Sequence, residues 1–337
     1  MRRFRRWRWR RQHAICAVMN RRTLLVRLAV MGAALGGGWW LKDNVLWRKP
    51  DVTFDPQQAW IDWDAPRTSL PTVRAMVAGQ PVRALIDSGA QFSVIDRKLF
   101  QQLGQAHTFD MPLLAYGVGG GTQLGKGVTL DIGLGALQIA NLRAAILDLG
   151  PLAGEAGLGS PLILGQDFLS QCLLDLDVEK RRLRFLPPGS PVPGHVLPVE
   201  VRRVGRALGT TITVEGAVIE AVIDTGASGL LSLSREAAEG AGLLDDRARE
   251  RGSSLVLGGS VASTVVEART VTFGDQLYRR VRTAIYGDVT IPGYPAALIG
   301  MEAFEGRRLI MDMGGGRLLV SRDLELTVGP EPSPRGR

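Results

Sequence analysis

The sequence predicts an all-β protein of two similar lobes, preceded by an N-terminal signal or anchor helix. Three observations carry this reading. Past residue 66 the chain consists of short β-branched and leucine-rich runs, punctuated by glycine about every ten residues. The same landmarks then occur twice, in the same order. Between the two sets lies Pro187-Pro-Gly-Ser-Pro-Val-Pro-Gly194, which can continue neither a sheet nor a helix. The length of 337 residues fits two globular units at roughly 150 residues each.

Taken in chain order, residues 1–22 form a basic leader with nine arginines. Residues 23–41 follow, uncharged except for Arg27, and read as a signal peptide or a single membrane anchor. The uncharged core Leu28–Leu41 is shorter than the ~20 residues that comfortably span a bilayer, while Trp39 and Trp40 suit an interface, so both readings stand. Asn20-Arg21-Arg22-Thr23-Leu24-Leu25 resembles a twin-arginine export motif, and Met19 is an alternative start. Positive-inside logic places the bulk of the chain outside the cytoplasm, on the periplasmic side of an inner membrane, anchored or released. Residues 42–66, with Pro50, Pro56 and Pro66, read as a stalk.

The first lobe is expected over 67–187, a Pro/Gly linker over 188–194 and the second lobe over 195–325, with a disordered tail over 326–337. Val82-Arg-Ala-Leu-Ile-Asp87-Ser88-Gly89-Ala90 is answered by Ile219-Glu-Ala-Val-Ile-Asp224-Thr225-Gly226-Ala227, 137 residues later. Leu162-Ile-Leu-Gly165 is answered by Ala297-Leu-Ile-Gly300, 135 residues later, and Asp177 by Asp312 at the same interval. Chance explains one such pair but not a series in register.

Charge and composition exclude several functions. The net charge of +8 arises at the tip, because residues 1–50 carry 13 Lys/Arg against one acid, whereas the rest carries 28 against 32. A nucleic-acid-binding globular domain therefore loses its main support. Two cysteines and three histidines are too few for a disulfide framework or a Cys/His zinc site, and no metal or cofactor is expected. Gly120-Gly-Thr-Gln-Leu-Gly125-Lys126-Gly127 has glycine where a phosphate-binding loop needs Ser or Thr for magnesium.

The repeated site points to paired carboxylates. In each copy an apolar strand runs into Asp-Ser/Thr-Gly-Ala, and a pseudo-two-fold pairing of lobes would bring Asp87 and Asp224 face to face. Two carboxylates that close hold one proton between them, since like charges raise one pKa while shared hydrogen bonds lower the other. Such a pair can activate a water against an amide carbonyl and protonate the leaving amine, without metal or side-chain nucleophile.

On these residues the chain resembles the retropepsin-like aspartic proteases, and in its two lobes per chain the pepsin arrangement. The resemblance covers about residues 68–325 and implies a bilobal acid-protease fold of two β-barrel lobes. It implies Asp87 and Asp224 as the catalytic dyad, with Ser88 and Thr225 supplying hydroxyls that interlock the two active-site loops. Gly89 and Gly226 would allow the tight turn, and Ala90 and Ala227 match the retropepsin pattern. It also implies a hydrophobic element behind each loop, ending at Gly165 and Gly300 and followed by short helices at Gln166–Ser170 and Met301–Glu305. A glycine-rich flap over the substrate would contain Tyr116, Gly117, Gly119 and Gly120, with a second-copy partner at Gly258 and Gly259.

The implied activity is that of an aspartic endopeptidase on extended segments of envelope or periplasmic proteins, acting as a two-lobed monomer tethered through its N-terminal segment. The alternative is a catalytically silent, peptide-binding pseudoprotease of the same fold. Asp177 and Asp312 are expected to be structural, Trp60 and Trp63 to serve packing or the stalk, and Cys172 to be a small buried apolar residue.

Overall fold

The computed structural model describes residues 48–64, 68–104, 108–116, 122–154, 157–256, 259–286 and 295–321. The expected N-terminal helix at 23–41, the tail at 326–337 and the flap residues Gly117, Gly119, Gly120 and Gly258 lie outside them. Among the described residues no helix is long and apolar enough to cross a membrane.

The all-β expectation holds. In the first lobe six strands close into a barrel: Gln80–Ile86, Leu162–Leu164, Val94–Asp96, Leu137–Leu147, Thr122–Leu134 and Thr72–Val77. Thr108–Tyr116 adds to the edge of Thr122–Leu134. The second lobe repeats the ring with Ala217–Ile223, Ala297–Ile299, Leu231–Leu233, Gln276–Tyr286, Gly259–Phe273 and Ala207–Val214, and Glu250–Val256 adds to its edge. Closure removes the open edges that exposed strands would leave for aggregation.

The local sequence explains the hairpins. Thr72–Val77 turns into Gln80–Ile86 through Ala78 and Gly79, with φ of 48° and 77°. Glu215 and Gly216 make the same turn in the second lobe, with φ of 49° and 90°. Two successive left-handed residues match the right-handed twist of the flanking strands. Each returning strand starts exposed and ends fully buried: Ala84, Leu85 and Ile86 in one lobe and Ala221, Val222 and Ile223 in the other. Both are flanked by neighbours, one antiparallel and one parallel, which is why their last turns carry no polar alternation.

A third sheet joins the lobes, in the order Val196–Val199, Arg317–Ser321, Arg308–Asp312, Leu173–Asp177, Arg182–Leu186 and Ile61–Asp62. Its central pair, Leu173–Asp177 against Arg308–Asp312, comes from different lobes. Asp177 and Asp312 prove structural, as expected. Asp177 accepts from Lys180 N and Arg182 Nε, and Asp312 from Gly315 N and Arg317, so each closes its own hairpin turn. Cys172 is buried and its thiol is pushed well up by burial.

The stalk expectation needs correction. Asp51–Thr53 pairs with Leu137–Leu147, and Ile61–Asp62 pairs with Arg182–Leu186, so residues 51–64 belong to the first lobe. The reason is apolar content: Val52, Phe54 and Ile61 pack against the core and Trp63 is buried within it. Trp60 lies beneath the guanidinium groups of Arg182 and Arg184, each 4.5 Å from its ring centre.

Candidate active site

The two strands that end fully buried, Gln80–Ile86 and Ala217–Ile223, each deliver an aspartate to the junction of the lobes. Asp87 N donates to Leu164 O at 3.0 Å and Asp224 N to Ile299 O at 2.9 Å, which ties the last strand residue to the element behind it. Beyond each aspartate the chain turns on glycine, and the turns cross. A β-carbon on Gly89 would lie 2.6 Å from Asp224 Oδ1, and one on Gly226 would lie 2.6 Å from the Asp87 carboxyl carbon. Each carboxylate thus rests against the opposite lobe's glycine, and no side chain larger than hydrogen fits there.

Ser88 and Thr225 interlock the loops. Ser88 Oγ donates to Ile223 O at 2.9 Å and accepts from Thr225 N at 3.0 Å. Thr225 Oγ1 donates to Ile86 O at 2.7 Å and accepts from Ser88 N at 2.9 Å. Both side chains are fully buried, so all four bonds are shielded from water and the two lobes are stitched at the base of the carboxylates.

The two aspartates share a motif but not an environment. Asp87 Oδ1 accepts from Gly89 N at 2.8 Å and Ala90 N at 2.9 Å. Asp224 Oδ1 accepts from Gly226 N at 2.8 Å, whereas Ala227 N turns to the Asp224 backbone carbonyl at 3.2 Å. Burial raises Asp87 above the usual carboxylate range, while the amides of Ala90 and Gly89 and the neighbouring Asp224 pull against it. Asp224 is pushed up to about 8, by burial first and by the charge of Asp87 second, against the amides of Gly226 and Gly89. The pair therefore titrates as a unit that holds one proton between two raised carboxylates, with the charge of Asp87 helping to keep the proton on Asp224.

The support behind each loop is also duplicated. Gln166 N donates to Ala90 O at 2.9 Å and Met301 N to Ala227 O at 2.8 Å. Gly165 and Gly300 press against the loop backbones, where a β-carbon would collide with Ala90 O and Ala227 O respectively. The short helices begin where expected, as an α-helix at Gln166–Leu169 and a 3₁₀-helix at Met301–Phe304.

Sequence reasoning passed over two acids in these helices. Buried Asp167 accepts from Ser93 N at 3.0 Å and from Ser93 Oγ at 2.7 Å, and Ser93 Oγ in turn accepts from Gly165 N. Glu302 accepts from Leu230 N at 3.0 Å, and Leu230 stands where Ser93 stands in the first copy. The signal was present, as an acid two residues after each Gly165/Gly300 landmark. One support is unpaired in the repeat: Gln166 Nε2 donates to Ser88 O at 2.7 Å, and its counterpart is the apolar Met301.

Of the flap residues, Tyr116 ends strand Thr108–Tyr116 opposite Thr122, and Gly259 starts strand Gly259–Phe273 opposite Val256. Among the described residues no group of three or more His, Cys, Asp or Glu side chains could hold a metal ion.

The signature of a family described as aspartyl protease matches residues 73–168 and, a second time, 210–303, together more than half of the chain. The chain belongs to this aspartyl protease family. Each aspartyl protease match runs from the first strand of a barrel to the short helix behind its loop, and so stops just before the strands that join the lobes. A 142-residue stretch is 31% identical to DNA damage-inducible protein 1 of Cryptococcus neoformans, in two strains, covering 40% of this chain and 30% of that protein. The chain thus matches less than a third of the length of that relative. Among solved structures, a retropepsin-like aspartic protease from Rickettsia conorii aligns at 22% identity and a TM-score of 0.28, covering 37% of this chain and 89% of that one. Conglutin gamma from lupine seeds aligns at 12% identity and a TM-score of 0.46, covering 82% and 96%.

Proposed function

We propose that this aspartyl protease is an endopeptidase that hydrolyses peptide bonds in extended segments of exported proteins, with a water activated between Asp87 and Asp224. The observation that carries the reading is the asymmetric dyad: two carboxylates from equivalent loops, held together by the Ser88–Thr225 lattice, one favoured as the charged form and the other as the protonated form.

In this mechanism the Asp87 carboxylate accepts a proton from water as its oxygen forms a bond to the scissile carbonyl carbon. Asp224 donates its proton to the carbonyl oxygen, giving a neutral tetrahedral diol. Collapse of the diol breaks the carbon–nitrogen bond, and the proton now on Asp87 goes to the leaving amine. A hydroxyl proton of the diol returns to Asp224, so the dyad again holds one proton. The rigid lattice beneath the dyad holds its reacting oxygens in place during these transfers.

The hairpin ending at Tyr116 is the lid in this reading, adding main-chain hydrogen bonds to an extended peptide. Residues 23–41 bring the enzyme to the periplasmic side of an inner membrane, as an anchor or as a cleaved signal, and one chain with its two lobes is the active unit. The test is cleavage of an unfolded-protein peptide library by the full chain. Cutting at defined sites supports the reading, and a folded chain that binds these peptides without cutting them makes the protein a pseudoprotease.

A further inference from the structure

The sheet that joins the lobes has its pseudo-two-fold axis at one residue pair. The landmarks Gly165 and Gly300 are 135 residues apart, and the same interval makes Asp175 the counterpart of Ile310, Leu174 of Leu309 and Leu176 of Met311. In the antiparallel register Asp175 faces Ile310, Leu174 faces Met311 and Leu176 faces Leu309. The axis therefore passes between an acid and an isoleucine, the one pair in which a residue meets its own counterpart.

Asp175 has no exposed side-chain surface and is held by three N–H groups. Arg184 Nε donates at 2.9 Å, while Arg308 donates through Nε at 2.7 Å and a terminal nitrogen at 2.6 Å. Arg308 comes from the second lobe. The counterparts of this ion pair are apolar: Ile310 for Asp175, Leu319 for Arg184 and Leu173 for Arg308. The bidentate bridge consequently exists once in the molecule and only across unlike lobes. Trp60 covers it, with Arg308 5.3 Å from its ring centre alongside Arg182 and Arg184.

We propose that Asp175 and Arg308 form a pairing code: the joining face of the first lobe fits the second lobe and rejects another copy of itself, so that each chain closes on itself. In a pair of first lobes about the same axis, two Asp175 side chains would meet in a buried position, each with its own Arg184 but without the bidentate Arg308. Like charges brought together there, short of their second arginine, are disfavoured. In a pair of second lobes, Ile310 would meet Ile310 and each Arg308 would lose its bidentate partner Asp175. A buried ion pair is weak evidence of stability, because apolar residues of similar size serve as well or better. Its value here lies in discrimination, through a repulsive element against the wrong partner. The inference rests on the joining sheet alone and is independent of the proteolytic reading.

Three full-chain variants test it. Ile310→Asp places two carboxylates on the axis, as a pair of first lobes would. Ile310→Asn brings the same shape and polarity without the charge. Asp175→Ile with Ile310→Asp moves the single carboxylate across the axis, onto the strand of Arg308 and one strand further from Arg184. Urea unfolding and sedimentation velocity are measured for all three. The expected result is a loss of unfolding midpoint for Ile310→Asp at least twice that of Ile310→Asn, with opened or assembled molecules replacing the closed monomer. The exchanged variant recovers the monomer and a midpoint at or above that of Ile310→Asn. Should Ile310→Asp fail to fold, the exchanged variant against Ile310→Asn decides alone. An Asp no worse than Asn, or an exchanged variant less stable than Ile310→Asn, overturns the proposal.

Discussion

Asp87 Oδ1 accepts the amides of Gly89 and Ala90, whereas Asp224 Oδ1 accepts that of Gly226 and Ala227 N turns away, so two copies of one motif set their carboxylates in unequal environments. On the proposed mechanism, activity falls at low pH as Asp87 is protonated and falls at high pH as Asp224 loses its proton, with the basic limb at about 8. A pH–rate profile of peptide cleavage checks this, and a basic limb below pH 6 would contradict it. Stability carries a related sign. The folded-state pKa of Asp224 lies above its unfolded value of 3.8, so its contribution is fully present below that value and is lost as pH rises toward about 8. Asp224→Asn removes this dependence, so its melting temperature is expected to fall less than the parent's between pH 4 and pH 8. Scanning calorimetry at the two pH values measures it. These aspartates were legible in the sequence because each follows an apolar run and precedes glycine. Their inequality was not, since Ala90 and Ala227 are identical residues whose amides point to different acceptors.

The elements behind the loops show how much of the site depends on residues that touch no substrate. Asp167 ties the Gln166–Leu169 helix to Ser93 through buried, charge-assisted bonds. Asp167→Ala removes the acceptor of the Ser93 amide and of the Ser93 hydroxyl proton, at a cost of about 1–3 kcal/mol for each buried donor left unpaired. The expected outcome is a urea midpoint well below that of the parent, with Asp167→Asn intermediate because it keeps an acceptor. Gln166→Met copies the second lobe's residue and removes the donor to Ser88 O. It is expected to lower kcat while leaving the unfolding midpoint within the range of a volume-conserving change, about 1.5 kcal/mol or less. At this scale the sequence showed its barrel strands and its helix starts through apolar runs and glycines. It hid the strands at residues 51–53 and 61–62, because three prolines among residues 42–66 outweigh short apolar pairs in any local reading. Only the partners Leu137–Leu147 and Arg182–Leu186, far along the chain, make those residues strands.

Among the described residues the two lobes are joined by the four-bond lattice beneath the dyad and by the six-stranded sheet, and they also touch where Arg206 lies over the Phe92 ring and where Gly150–Leu152 meets Glu250–Val256. Neither lobe can open without breaking buried hydrogen bonds at the lattice, so thermal unfolding of the described region is expected as one transition. Two well-separated calorimetric peaks would contradict this. The duplication announced this scale in the sequence, since repeated landmarks in register imply a pseudo-two-fold assembly. The buried Asp175–Arg308 bridge did not appear there, because an acid and an arginine 133 residues apart look like ordinary surface charge until the register brings them together.

The most direct test of the dyad is cleavage of an unfolded-protein peptide library by the full chain beside Asp87→Asn and Asp224→Asn, each confirmed as folded. The account predicts cutting by the parent and a loss of at least a thousandfold in both variants, because neither carboxylate has a substitute. Retention of parental activity in either variant would contradict the pairing of these two aspartates as one catalytic unit.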